Sequence, residues 1–158
     1  MGNQNTIDAI NKLEEAMYAA CPPGDFPLTH IFTPGLYTRE IFMPKGSLIT
    51  SKTHNTTHPF FILQGSAEVW TEEGGVQILE APYRGITTPG TTRVLLILED
   101  CIWITTHPIA SITGEENNLS EEDKLKVVQG IEDIIIEKRT NPLLYKKEEE
   151  LCHGYQQE

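Results

Sequence analysis

Two histidines and two basic residues in the middle of the chain have types and spacing that could do chemistry. His54 and His58 are separated by three residues, Lys52 precedes them, and Arg93 follows a Pro-Gly turn later in the chain. Imidazoles are common ligands of transition metals, whereas lysine and arginine side chains bind carboxylates and phosphates. The pattern therefore allows either an anion-binding pocket or a metal centre.

An anion-binding pocket would use all four side chains. Lys52, His54, His58 and Arg93 together would be cationic inside a chain whose formal net charge is -11. Such a cluster suits a small ligand with a carboxylate or phosphate group, because several charge-assisted hydrogen bonds could hold one anion.

Three simpler interpretations stay open for the same residues. Arg93 could form an internal salt bridge with Glu40, Glu68 or Glu99. Lys52 could be a solvated lysine at the rim of the pocket. The histidines could be a hydrogen-bonded polar lining that holds no ligand.

A metal centre would need a third ligand beside the two histidines. His54 and His58 would supply two ligands, and His107 or a carboxylate such as Glu40 or Glu68 would supply the third. Iron, manganese, nickel and zinc are the candidate metals, although the sequence establishes no cofactor. A neighbouring arginine opposes this hypothesis because its charge repels a divalent cation.

The elements that must position these residues are short strands. Between Leu36 and Pro108 the runs are rich in Val, Ile, Thr and aromatic residues, with Gly and Pro between them. No helical period interrupts them, so the pattern predicts an all-β antiparallel sandwich or closed barrel, in which Arg93, Leu95 and Ile97 share one face. The predicted strands are 36–43, 47–52, 59–63, 67–71, 77–80, 93–98 and 102–106.

Helices are predicted on both sides of the strand region. Apolar residues recur at three- and four-residue steps from Thr6 to Ala20, and a capping sequence at Ser120 precedes a second helix that extends to about residue 138. The predicted segments are an N-terminal helical segment 1–28, a β-barrel 29–112, and a C-terminal helix with an acidic tail 113–158.

Composition and charge exclude several classes of protein. The 158 residues, of which 39% are hydrophobic and 22% charged, fit one globular domain. The 23 acidic residues against 12 basic ones oppose binding to duplex nucleic acid or to an anionic membrane. No stretch is long and apolar enough for a membrane span, and the start lacks the pattern of a secretory signal, so we expect a cytoplasmic protein.

The spacing around His54 resembles the first cupin motif, in which glycine, five residues, His-x-His, three or four residues, glutamate, six residues and glycine follow one another. Gly46 and Gly65 match the two glycines, and His54 matches the second histidine. Lys52 stands in place of the first histidine, and His58 in place of the glutamate. The resemblance implies a jelly-roll barrel with these residues at its ligand site.

The second cupin motif is also matched in part. Gly90 corresponds to its glycine, while Arg93 takes the place of the third metal-binding histidine. Of the four usual ligand positions, therefore, one keeps the residue that is typical of the family. This departure weakens the case for a metal and favours an anion.

The wider sequence, from about residue 10 to 108, is similar to small cupin-domain proteins encoded by tailed bacteriophages and prophages. Most of these have no assigned function, so the resemblance implies a fold and a host-cytoplasm setting but no reaction. The first hypothesis is a non-enzymatic barrel that binds a small anion, such as a nucleotide or a defence signal. The alternatives are a metal-dependent dioxygenase, isomerase or lyase that uses His54, His58 and His107, and an assembly module of a phage. We expect a homodimer or a higher homo-oligomer, because cupins bury sheet faces against one another.

Overall fold

A computed structural model of the chain describes residues 3–21, 24, 26–108 and 120–137. By its contacts the chain divides into two compact units, one of Met1–Asp25 with Arg139–Glu158 and one of Phe26–Lys138. In the first unit, helix α1 spans Gln4–Ala20, and the Asn3 side chain caps it by accepting a hydrogen bond from the backbone N–H of Asn5. No helix within the described ranges has the length and apolar character needed to cross a membrane.

The second unit contains the strands and a second helix, so it holds all the residues singled out above. Helix α2 spans Glu121–Ile135. The strands are β1 (Leu28–Thr33), β2 (Leu36–Met43), β3 (Leu48–Thr50), β4 (Thr53–His54), β5 (His58–Thr71), β6 (Gly75–Glu80), β7 (Tyr83–Thr87), β8 (Arg93–Pro108) and β9 (Ile136–Glu137). The three-segment division at residues 28 and 112 stays a prediction.

Seven strands form one antiparallel sheet in the order β1-β2-β8-β5-β6, with β3 also paired to β8 and β7 to β5. The first part of β5 pairs with β7 and with the second part of β8, whereas Ser66–Thr71 pairs with β6 and with the first part of β8. Because both long strands serve two sets of neighbours, the sheet bends into two layers around a core. This confirms the predicted antiparallel jelly-roll barrel.

A bulge at Gly65 makes the bend in β5. Gly65 has φ +77°, and a Cβ there would lie 2.7 Å from the carbonyl carbon of Asp100 on β8. The pairing of β5 with β8 shifts register between Ile62 and Ala67 at the same place. The predicted strands 59–63 and 67–71 are therefore one strand, as are 93–98 and 102–106, and the glycine that predicted a turn marks a bulge.

Two apolar clusters hold the second unit together. The larger fills the space between the two layers of sheet and includes Ile62, Ile97 and Trp103. The smaller joins Ile131 of α2 to Tyr37 of β2, with Phe32 and Val127 packed beside them. Helix α2 therefore rests on the β1–β2 hairpin, and β9, which follows it directly, pairs with β4.

Candidate functional site

Three histidines from three strands meet in the barrel. The ring centroids of His54 on β4 and His58 on β5 are 4.6 Å apart, those of His58 and His107 on β8 are 4.1 Å apart, and those of His54 and His107 are 6.1 Å apart. His58 and His107 are each 1% exposed. The structure therefore brings together the three residues named as metal ligands from the sequence.

Strand register explains why His58 and His107 meet. Phe60 lies opposite Thr105 in the antiparallel pairing of β5 with β8. His58 precedes Phe60 by two residues and His107 follows Thr105 by two, so the register places the two histidines together on the same face. On the other side of β5, His58 lies opposite Thr87 of β7.

His54 reaches the cluster because its short strand is fixed on both sides. Its backbone carbonyl accepts a hydrogen bond of 2.8 Å from the N–H of Gly90, in the turn before β8. Its other side is paired with Ile136 of β9. The glycine matched to the second cupin motif, which has φ +86°, therefore holds one of the three histidines in place.

The ring nitrogens of the cluster are satisfied only in part. His58 Nδ1 lies 3.0 Å from the backbone carbonyl of Thr56, and His107 Nε2 lies 3.1 Å from the Thr105 hydroxyl. Among the described side chains, His54 Nδ1 and His58 Nε2 are buried nitrogens without a hydrogen-bond partner. Buried polar atoms are nearly always paired, so these two nitrogens mark a place that a ligand could occupy.

Burial keeps the imidazoles neutral at pH 7. Burial, followed by the charges of His58, Arg93 and Arg39, lowers the pKa of His54 from 6.5 to about 4. Burial and the charges of its neighbours lower the pKa of His107 to about 3. The pKa of His58 is also lowered, mainly by burial, although its bond to the Thr56 carbonyl opposes the shift. The positive charge at the site therefore comes from arginine.

The free energy of unfolding should fall on acidification below about pH 6.5. Between the folded pKa values of about 4 and 3 for His54 and His107 and the ordinary value of 6.5, the unfolded chain binds more protons. The contribution of the two neutral histidines to the free energy of unfolding is therefore fully present above pH 6.5. It is lost as the pH falls towards the folded pKa values. Urea titrations at pH 7, 6 and 5 measure this, in a range where exposed carboxylates stay ionised. His107→Gln, which cannot titrate, should flatten the dependence, and an unchanged slope would contradict the assignment.

Arg93 lies inside the barrel, as the alternation along β8 predicted. It is 8% exposed, and Leu95 and Ile97 are buried on the same face. Its guanidinium carbon lies 4.8 Å from the centroid of the Phe60 ring, which stacks on Trp103 with 4.7 Å between centroids. Arg93 Nη2 donates a hydrogen bond of 3.0 Å to the buried Thr87 hydroxyl.

The internal salt bridge predicted as an alternative for Arg93 is not formed. Within residues 26–108, no ion pair joins its guanidinium to Glu40, Glu68 or Glu99, and the last two side chains are exposed. Instead, Glu99 accepts a hydrogen bond of 3.3 Å from the Ser66 hydroxyl. A buried arginine on an aromatic floor, with a hydroxyl as its side-chain partner, differs from an arginine whose role is to pair with a carboxylate.

Lys52 occupies a different environment from the other predicted site residues. Its side chain is exposed in the link between β3 and β4. Sequence analysis missed Arg39, which lies opposite Thr105 in the pairing of β2 with β8 and helps to lower the pKa of His107. It also missed Thr87, the partner of Arg93. The alternation along β2 could have indicated Arg39, because it stands two residues after the buried Tyr37.

The arrangement does not fit a three-histidine metal centre. Within the described ranges, no three His, Cys, Asp or Glu side chains are placed so that they could hold one metal ion. Although the rings are close, His107 Nε2 is engaged by the Thr105 hydroxyl, and the charges of Arg39 and Arg93 act on the cluster. The geometry therefore agrees better with an anion than with a cation.

Known structures with a similar fold include proteins described as cupins. A DMSP lyase from Ruegeria pomeroyi has 16% identity and a TM-score of 0.49, with 61% of this chain and 56% of that chain covered. An RmlC-like cupin from Shewanella frigidimarina has 18% identity and a TM-score of 0.47, with 61% and 84% covered. A double-stranded β-helix protein from Klebsiella pneumoniae has 18% identity and a TM-score of 0.48, with 63% and 84% covered. No family model and no curated protein matches the chain.

The fold is a cupin-like β-barrel. This description rests on the strand order, the two bent strands and the antiparallel pairing of this chain. At identities below 20%, the similarity to these structures concerns the fold.

Proposed function

We propose that this cupin-like barrel binds a small anionic ligand, with a carboxylate or phosphate group, through Arg93. One observation carries the proposal: Arg93 is 8% exposed and, among the described residues, its guanidinium has no carboxylate partner. A charge taken out of water without a counter-charge is costly, and proteins keep such a group where a ligand supplies the opposite charge.

The surroundings of Arg93 suit an anion. Thr87 occupies one of five guanidinium N–H groups, so the remainder of the planar fork can bind two oxygens of one carboxylate or phosphate. The aromatic floor of Phe60 and Trp103 excludes water and strengthens such bonds. Lys52, at the exposed rim, would contribute a longer-range attraction that salt screens.

Native mass spectrometry of the full chain, purified without a histidine tag, tests this function. We expect a co-purified small anion, or anion binding by calorimetry when phosphate or a short carboxylate is added in chloride buffer. Absence of both would contradict the proposal. Identification of a co-purified nucleotide or signalling molecule would test the finer prediction of a phage protein that sequesters a host compound.

A metal-dependent reaction is the second candidate, and the two unpartnered ring nitrogens of His54 and His58 favour it. Metal analysis of the same untagged protein separates it from anion binding. Iron, manganese, nickel or zinc bound at one ion per chain, and lost in His54→Ala, would support a metal enzyme. Protein without metal that still binds anions would support the first proposal.

Self-association as a homodimer or higher oligomer belongs to the same proposal. On the outer face of the sheet, register places the exposed side chains of Leu48, Leu96 and Ile78 in one row across β3, β8, β5 and β6, with Glu68 between the last two. Apolar side chains on an open sheet face favour contact with another protein surface. Light scattering at micromolar concentration measures the oligomeric state, and a monomer would count against this part.

A further inference from the structure

The hydrogen bond between His58 and Thr56 determines which nitrogen of the His58 ring carries the proton. His58 Nδ1 lies 3.0 Å from the Thr56 backbone carbonyl, and a carbonyl oxygen can only accept. The Thr56 hydroxyl, which lies 3.4 Å from the same nitrogen, can accept as well as donate. The shorter contact with the carbonyl makes Nδ1 the donor. A neutral imidazole has one N–H, so Nε2 is left as a bare acceptor.

This acceptor lies in the barrel without a donor. The His58 ring is 1% exposed, and its Nε2 has no partner among the described residues. A buried acceptor that lacks a donor costs free energy that a suitable ligand group would recover.

Arg93 and His58 have a common neighbour in Thr87. Thr87 lies directly opposite His58 in the pairing of β7 with β5, and its hydroxyl accepts a hydrogen bond from Arg93. Directly paired residues have Cα atoms about 4.5 to 5.5 Å apart. Arg93, which has several N–H donors, and His58, which has the bare acceptor, therefore both lie next to Thr87.

Building on the anion-binding function proposed above, we infer that the ligand is an oxyanion that carries its own O–H donor. Its charged oxygens accept from Arg93, and its hydroxyl donates to His58 Nε2. A hydroxycarboxylate and a protonated phosphate share this chemistry. An anion without an O–H group would place an oxygen lone pair against the lone pair of Nε2, and both acceptors would stay unpaired. Because unpaired buried groups are costly, the site should discriminate strongly against such an anion.

Two matched pairs of anions test the inference by calorimetry on the full chain at pH 7. Phosphate and sulfate are both tetrahedral oxyanions, but only phosphate keeps an O–H at this pH. Lactate and propionate differ by one hydroxyl. We expect the member with the O–H to bind at least tenfold more tightly in one pair or both, and the pair that responds identifies the ligand as a phosphate or a carboxylate.

The outcomes separate this inference from the function on which it rests. Equal or reversed affinities within each pair would overturn the O–H requirement while leaving anion binding in place. No binding of any of the four would overturn both. His58→Gln should bring the affinity ratio towards one, since its amide can rotate to donate or accept. Circular dichroism checks that this variant folds.

A second measurement does not depend on binding. Nitrogen-15 NMR of the imidazoles distinguishes the two neutral tautomers, and for His58 we expect the proton on Nδ1. A proton on Nε2 in the ligand-free protein would overturn the inference, because the ring would then present a donor to the ligand.

Discussion

Arg93→Met should lower the affinity for the proposed anion at least 100-fold while the chain still folds. Two or three charge-assisted hydrogen bonds at roughly 1.5 kcal/mol or more each would be lost, about 3 kcal/mol or above. That free energy corresponds to about two powers of ten in affinity. Methionine keeps an unbranched side chain over Phe60 and Trp103, so the aromatic floor stays covered. Calorimetry with the anion that binds the unmodified chain measures the loss.

Arg84→Met is the matched control for this prediction. Arg84 is the same residue type on β7, but its side chain is exposed and lies opposite Phe61. Removing it should change the affinity less than about threefold, since exposed charges act weakly across water. Urea titration should show no loss of stability in Arg93→Met, because a buried guanidinium without a carboxylate stabilises the fold little. Retained affinity in Arg93→Met would show that the anion binds elsewhere.

Gly65→Ala should destabilise the barrel by at least about 3 kcal/mol or prevent it from folding. A residue with a side chain at φ +77° costs roughly 1 to 2 kcal/mol, and the added Cβ would also overlap the backbone carbonyls of Glu99 and Asp100. Backbone atoms of a paired strand cannot move aside as a flexible side chain could. The free energy of unfolding in urea measures the effect.

Gly46→Ala provides the comparison for this second prediction. Gly46 has a similar φ of +84°, but a Cβ there meets nothing within 4 Å. We expect a loss of about 1 kcal/mol, from backbone conformation alone. Equal losses in the two variants would mean that the close approach of β5 to β8 at the bulge is not the cause. Both glycines match the first cupin motif. The two variants therefore separate two reasons for a glycine in this motif, a positive φ and a close approach of another strand.

Much of the barrel could be predicted because buried and exposed residues alternate along a strand that has one buried face. The prediction for β2, 36–43, has the observed bounds, and the inward face of Arg93, Leu95 and Ile97 is confirmed by their burial. Strands of two residues, such as β4 and β9, carry no period that a sequence could reveal.

The site was harder to predict because its properties arise from tertiary contacts. The sequence suggested a pocket in which histidines add positive charge, yet burial leaves His54 and His107 neutral. It suggested an acidic partner for Arg93, yet the partner is the Thr87 hydroxyl, contributed by a strand that sequence analysis did not predict. Residue type and spacing indicate which side chains can do chemistry, whereas their burial and their hydrogen-bond partners determine whether they are charged.

The pairing of β4 with β9 has a consequence for the order in which the protein is built. Most barrel strands find their partners among residues up to Pro108, but Thr53 pairs with Glu137, about 80 residues away. During synthesis on a ribosome, β4 can therefore pair with β9 only after the chain has grown past α2. His54 is the histidine on that strand, so the cluster of three histidines is completed after the barrel that contains it.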